Sequence, residues 1–301
     1  MDATGRTIST PDGRRLRLSE GGQPHGIPVL VQRGTPQSGL LYEGWVADAR
    51  ARGIRLLCYE RPGYGGSTRH PGRTVASAAD DVAAIARELG VTRLLIWGIS
   101  GGGPHALACA ALLPGLVAAA AVLGTPAPYP AEGLDYFAEM GEENVAACQA
   151  ALKSPQAHRQ FVEADAARLL RATPETVAEA FQSLLCPVDA DMLAGDFAEF
   201  VVRSVQEGIG KSRDGIIDDD LAHLKPWGFE LSEIRVPVLL MHGEYDLMVP
   251  VSHARWLAGR IPNVEARILP GDGHLTISVR RIPEVHAWLL AKLQPCSATS
   301  S

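Results

Sequence analysis

Residues 94–114 read LLIWGISGGGPHALACAALLP. An apolar run ends at Trp97, and a small-residue turn carries Ser100 as the centre of Gly98-Ile99-Ser100-Gly101-Gly102. A helical pattern follows at once. G-x-S-x-G has mechanical meaning only between a buried strand and a helix, and that is its setting here. Gly98 and Gly102 keep the sharp turn free of side chains, so the Ser100 hydroxyl is expected to stand clear of the sheet. The helix N-terminus then lies beneath it, where the Gly101 N–H can stabilise a developing oxyanion. Pro104 falls in the first helical turn, where its missing donor costs little.

Working outward, short apolar runs alternate with helical patterns. Strands are predicted over 27–31, 54–59, 94–97, 117–123, 236–241 and 264–269, with an antiparallel starting strand over 14–20 at the sheet edge. Helices are predicted over 40–52, 75–89 and 105–113, closing at Gly53, Gly90 and Pro114. The middle strands are apolar throughout, as in parallel strands buried on both faces. This alternation implies right-handed crossovers and a mostly parallel sheet flanked by helices. Residues 106–124 are long and apolar enough to imitate a membrane span, but Pro114-Gly115 interrupts them. A buried helix followed by a buried strand is expected instead.

A serine hydroxyl needs a base, and the base an orienting acid. The stretch HGEYDLMVP follows the strand ending at 241 and places Asp246 in a loop beyond a strand's carboxyl end. PGDGHLTI follows the strand ending at 269 and places His274 in a similar glycine-rich loop. Both face the crevice where open α/β sheets gather ligands. Of nine histidines only His274 holds a late post-strand loop position. Glu244 is too early in its turn, and Asp272 too near His274, to compete with Asp246. After the strand at 27–31 comes QRGTPQSG, in which Gly34 allows close approach and the Thr35 N–H is the candidate second oxyanion donor.

The 301 residues suit one large domain or a core with a sizeable insertion. From 126 to 235 the strands stop. This segment carries 20 acidic and 9 basic side chains, against 14 and 19 in the remainder. An acidic helical insertion (126–235) in a mildly basic core (1–125 and 236–301) is therefore expected. Acidic helices can simply solvate well; alternatively they form a lid that favours amine-bearing substrates. The net charge of −6 excludes the usual basic footprint of nucleic-acid binding. Cys58, Cys109, Cys148, Cys186 and Cys296 are scattered without CxxC spacing, so neither a disulfide framework nor a zinc site is indicated. With no apolar h-region behind the basic start, a cytoplasmic location is expected. No metal or organic cofactor is expected, because nucleophile, base and electrophilic site all come from side chains and backbone.

Together these residues resemble the α/β-hydrolase superfamily over nearly the whole chain. Tyr59–Ser67, YERPGYGGS, is similar to the family's D-x-x-G-x-G-x-S stretch, with Glu60 at the usual aspartate position. Where the family often has His-Gly before the oxyanion residue, this chain has Arg33-Gly34. The resemblance implies a helical cap between the sixth and seventh strands, matching residues 126–235. Ser100 at the turn disfavours the members with an aspartate nucleophile and favours the capped serine branch of small-molecule esterases and proline iminopeptidases. In the latter, acidic cap residues hold a free amino group, a role that the resemblance does not assign to Glu142, Glu143 or Asp218 individually. The expected function is hydrolysis of a small carboxylic ester through an acyl-enzyme on Ser100. Aminopeptidase, thioester or lactone hydrolysis share the machinery, and a catalytically silent ligand-binding protein is the non-enzymatic alternative. Oligomeric state is not legible.

Overall fold

The structure is a computed structural model that describes residues 5–293; the tail with Cys296 lies outside the described residues. Its eight strands are β1 (Arg6–Ser9), β2 (Arg15–Gly22), β3 (Ile27–Gln32), β4 (Ile54–Tyr59), β5 (Leu94–Ile99), β6 (Val117–Leu123), β7 (Val238–Gly243) and β8 (Val264–Leu269). They form one sheet in the order β1-β2-β4-β3-β5-β6-β7-β8. From β4 to β8 every neighbouring pair is parallel, and β2 runs antiparallel to both β1 and β4. β5 and β7 are buried along their whole length, as their unbroken apolar runs require.

Helices cover both faces. The first half of the chain supplies α1 (Glu43–Ala51), α2 (Ala78–Leu89) and α3 (Gly102–Leu112). Between β6 and β7 come α4 (Glu142–Lys153), α5 (Pro155–Arg171), α6 (Val177–Phe181), α7 (Pro187–Met192), α8 (Gly195–Ile209) and α9 (Asp214–His223). The chain ends with α10 (Val251–Ala258), α11 (His274–Arg280) and α12 (Ile282–Ala291). α2, α3 and α10 pack on one face of the sheet, α1 and α12 on the other. On the second face the Trp45 and Trp97 rings meet edge to face at 5.1 Å.

Some elements differ from the sequence expectation. The expected edge strand is β2, and it is not at the edge, because β1 pairs outside it. Ile8 is the sole apolar residue of β1, too little to signal a strand, yet it is fully buried beside Leu16 and Leu18. β7 starts two residues later than expected, at Val238, whose N–H donates to Asn263; Pro237 before it has no N–H to offer. The helix after Ser100 starts at Gly102 rather than His105. The membrane-like stretch divides as expected, with α3 ending at Leu112 and β6 beginning at Val117. No described helix is long and apolar enough to cross a membrane.

Candidate active site

Ser100 sits between β5 and α3 with φ of +54°, a left-handed conformation that strains any residue with a side chain. Two backbone hydrogen bonds of 2.9 Å hold the turn: Ser100 N–H donates to the Leu123 carbonyl at the end of β6, and Gly103 N–H donates to the Ser100 carbonyl. The flanking glycines are required sterically. A Cβ at Gly98 would collide with the Gly102 carbonyl, whereas one at Gly102 would meet the Gln32 and Arg33 carbonyls of the β3 end. The second restriction is thus packing against β3 and not a clash across the turn.

The loops after β7 and β8 bring Asp246 and His274 together. Asp246 Oδ2 accepts from His274 Nδ1 at 2.7 Å, while Oδ1 accepts the N–H groups of Met248 at 2.9 Å and Val249 at 2.8 Å. The carboxylate is thereby fixed on both oxygens, and the imidazole keeps its Nε2 for the cavity. Burial alone would depress the His274 pKa, but the Asp246 charge and hydrogen bond, with the Asp189 carboxylate beyond, raise it above the ordinary value. Ser100 and His274 line the same cavity. Among the described residues no hydrogen bond joins the Ser100 hydroxyl to the imidazole.

Thr35 and Gly101 also meet at this site: a Cβ on Gly101 would lie 2.7 Å from Thr35 Oγ1. Both are held by α9. Asp219 Oδ2 accepts from Thr35 Oγ1 at 2.8 Å, and His223 Nε2 lies 3.0 Å from the Gly101 carbonyl, to which its N–H donates. Burial, with His105 nearby, pushes the His223 pKa down to about 3, so the ring is neutral. Asp219 is fully buried and also takes Tyr64 Oη at 2.7 Å, Arg61 at 2.5 Å and Arg73 at 2.6 Å. Burial opposes its ionisation, but the two guanidinium groups hold its pKa well below the usual carboxylate range.

The acidic character of residues 126–235 thus has a use that neither sequence reading gave. Asp219 pairs with Arg61 and Arg73, Asp218 with Arg69 at 2.8 Å, and Asp214 with Arg69 at 3.0 Å. These arginines lie in the chain after β4, so α9 docks on that segment through its aspartates. Glu143 bonds Ser183, Glu142 is exposed, and no carboxylate lines the cavity among the described residues. Sequence reasoning missed Asp219, His223 and Asp189. The Asp218-Asp219-Asp220 run was the visible trace of the first; the other two carried no local signal. Asp189 on α7 accepts the backbone N–H groups of His274, Leu275 and Thr276 at 2.6, 2.9 and 2.9 Å, so it caps the helix that begins with His274.

Several other histidines have structural partners. His242 Nε2 lies 2.7 Å from the Val249 carbonyl, and His105 packs under α9 with Nε2 3.5 Å from Asp219. His253 on α10 is fully buried, and its Nε2 lies 3.0 Å from the Tyr136 carbonyl. The cavity over Ser100 is about 50 Å³. Phe181, Phe197, Phe200 and Val205 wall it from the side of the insertion, Met248 from the loop after β7 and Leu275 from the first turn of α11.

Comparison with known proteins agrees with this architecture. The family model described as alpha/beta hydrolase fold matches residues 27–280. The AB hydrolase superfamily protein YisY of Bacillus subtilis is 25% identical over 279 residues, covering 90% of this chain and 92% of its own. A proline iminopeptidase of Xylella fastidiosa is 26% identical over 301 residues, covering 91% and 92%. Among solved structures, a thermophilic esterase from Thermogutta terrifontis superposes with a TM-score of 0.69 over 97% of this chain and 100% of its own. At 21% identity that likeness speaks for the fold alone.

Proposed function

Because the chain belongs to the α/β-hydrolase fold family, and is accordingly a hydrolase of that type, we propose that it cleaves a small carboxylic ester through an acyl-enzyme on Ser100. The observation that carries this reading is the 2.7 Å Asp246–His274 pair on the cavity that Ser100 enters from a strained strand-to-helix turn. In the proposed reaction Ser100 Oγ attacks the ester carbonyl while His274 Nε2 takes its proton; the serine–imidazole hydrogen bond forms as substrate fills the cavity. Asp246 accepts Nδ1–H and stabilises the imidazolium. The Thr35 and Gly101 N–H groups donate to the oxyanion. Collapse of the tetrahedral adduct breaks the bond to the leaving alcohol, which takes the proton from His274. Water then attacks the acyl-enzyme with His274 as base, releasing the acid and restoring Ser100. Residues 126–235 act as a cap, and the small cavity with its largely aromatic and aliphatic wall favours short acyl groups.

The test compares 4-nitrophenyl acetate and butyrate with prolyl 4-nitroanilide, using the natural protein and Ser100→Ala. Ester turnover that vanishes in the variant is the expected result. Faster serine-dependent cleavage of the anilide would move the assignment to an aminopeptidase, a reading that the absence of carboxylates from the described cavity wall disfavours. Without serine-dependent turnover and without labelling of Ser100 by a fluorophosphonate, the reading is overturned.

A further inference from the structure

Four arginines of the described chain are more than nine-tenths buried: Arg14, Arg33, Arg61 and Arg73. Arg14 pairs with Asp81 at 2.8 Å, and Arg61 and Arg73 share Asp219. Arg33 has no carboxylate partner among the described residues. It is 2% exposed and lines the cavity over Ser100. Its guanidinium lies 4.6 Å from the Trp45 ring centroid and 4.9 Å from that of Phe200. Nη2 donates to Gln37 Oε1 at 2.6 Å, and Nε has no hydrogen-bond partner.

A buried cation is costly unless it is paired, and the aromatic faces return only part of the lost hydration. Burial lowers the Arg33 pKa to about 10, which still leaves the group charged at neutral pH. The remaining lining side chains are apolar or uncharged apart from His274. The cavity therefore holds a fixed positive charge with a donor to spare and no counter-ion from the protein. A guanidinium set against two aromatic rings that meet at 75° is held in orientation, and its planar fork suits a planar anion.

From this we infer that Arg33 is an anion-binding residue of the substrate cavity and that the substrate is an ester bearing a second, ionised carboxylate. The inference rests on the serine-hydrolase reading for its substrate class, but the anion site can be tested without turnover. Trp45 and Phe200 hold the guanidinium in place, while Gln37 takes one of its donors and leaves the others to the ligand. A free amine in the same position would meet a like charge.

Binding is measured first, by isothermal titration of Ser100→Ala with butyrate and with the neutral isostere butyramide. Butyrate is expected to bind at least about tenfold more tightly, and the preference to disappear in S100A/R33M, because truncating one partner of a desolvated charged pair typically costs that much or more. Arg33→Lys, which keeps the charge but not the planar fork, is expected to retain part of the preference and guards against misfolding of the methionine variant. Equal binding of butyrate and butyramide, or a preference unchanged by R33M, overturns the anion site. Turnover is measured second, as the ratio of kcat/KM for mono(4-nitrophenyl) glutarate to that for 4-nitrophenyl butyrate. The ratio is expected to exceed one in the natural protein and to fall about tenfold or more in R33M; a ratio below one overturns the substrate class. If neither ester is hydrolysed and a fluorophosphonate fails to label Ser100, while butyrate binding still depends on Arg33, the serine-hydrolase reading fails and the anion site stands.

Discussion

The Asp189 carboxylate accepts the backbone N–H of His274 at 2.6 Å, from a helix that lies 85 residues earlier in the chain. With the Leu275 and Thr276 N–H groups it satisfies the first turn of α11, where the donors of a helix otherwise lack partners. The negative charge also acts on the imidazole, reinforcing Asp246.

Asp189→Asn keeps the size and removes the charge. Its amide has one acceptor oxygen for three donors, so stability is expected to fall by about 1–3 kcal/mol, the cost of leaving a buried donor unsatisfied. The acid limb of the pH–kcat/KM profile is expected to move to lower pH. A variant that loses stability with no movement of that limb would leave Asp189 a purely structural cap.

The raised His274 pKa fixes the sign of the pH dependence. The base must be neutral to take the Ser100 proton, so kcat/KM is expected to rise with pH through a midpoint above 6.5. Stability runs the other way. The folded state holds this proton more tightly than the unfolded chain, so the contribution is complete below the ordinary imidazole value and fades as pH climbs through the raised one. Asp246→Asn is expected to lower kcat roughly ten-thousand-fold, as loss of the orienting acid does in comparable triads. An acid limb centred well below 6.5 in the natural protein would contradict the Asp246–His274 geometry.

Two neighbouring aspartates provide an internal contrast. Asp219→Asn leaves Arg61 and Arg73 buried without a counter-charge, and urea unfolding should register a loss of about 3–5 kcal/mol. Asp218→Asn breaks a pair with Arg69, which is about one-third exposed, and should cost no more than about 1 kcal/mol. Similar losses for both would mean that the Asp219 cluster is not the anchor its burial implies.

How far the sequence carried depended on the range of the interaction. The parallel core was legible because β5, β6 and β7 are unbroken apolar runs, and the turn at Ser100 because its glycines are adjacent in the chain. Asp246 and His274 could be found from loop position alone, since strand ends converge on one edge of the sheet. β1 was not legible, because one isoleucine makes no pattern. Asp189, Asp219 and His223 act across 85, 184 and 122 residues, and no local periodicity encodes such a contact. The arginine at position 33 was legible as a departure from the familiar His-Gly, but its isolation from any carboxylate is a property of the folded state alone.

Residues 126–235 meet the core on two kinds of surface. α7 and α9 grip backbone and side chains around Ser100 and His274, whereas α6 and α8 present the rings that wall the cavity. Drift in the first pair would loosen every substrate's site at once. In the second pair it would reshape the room offered to an acyl chain and leave the reacting atoms where they are. On the proposed reading, selectivity is therefore expected to change with substitutions at Phe181, Phe197 and Val205 that leave Ser100, Asp246 and His274 in place.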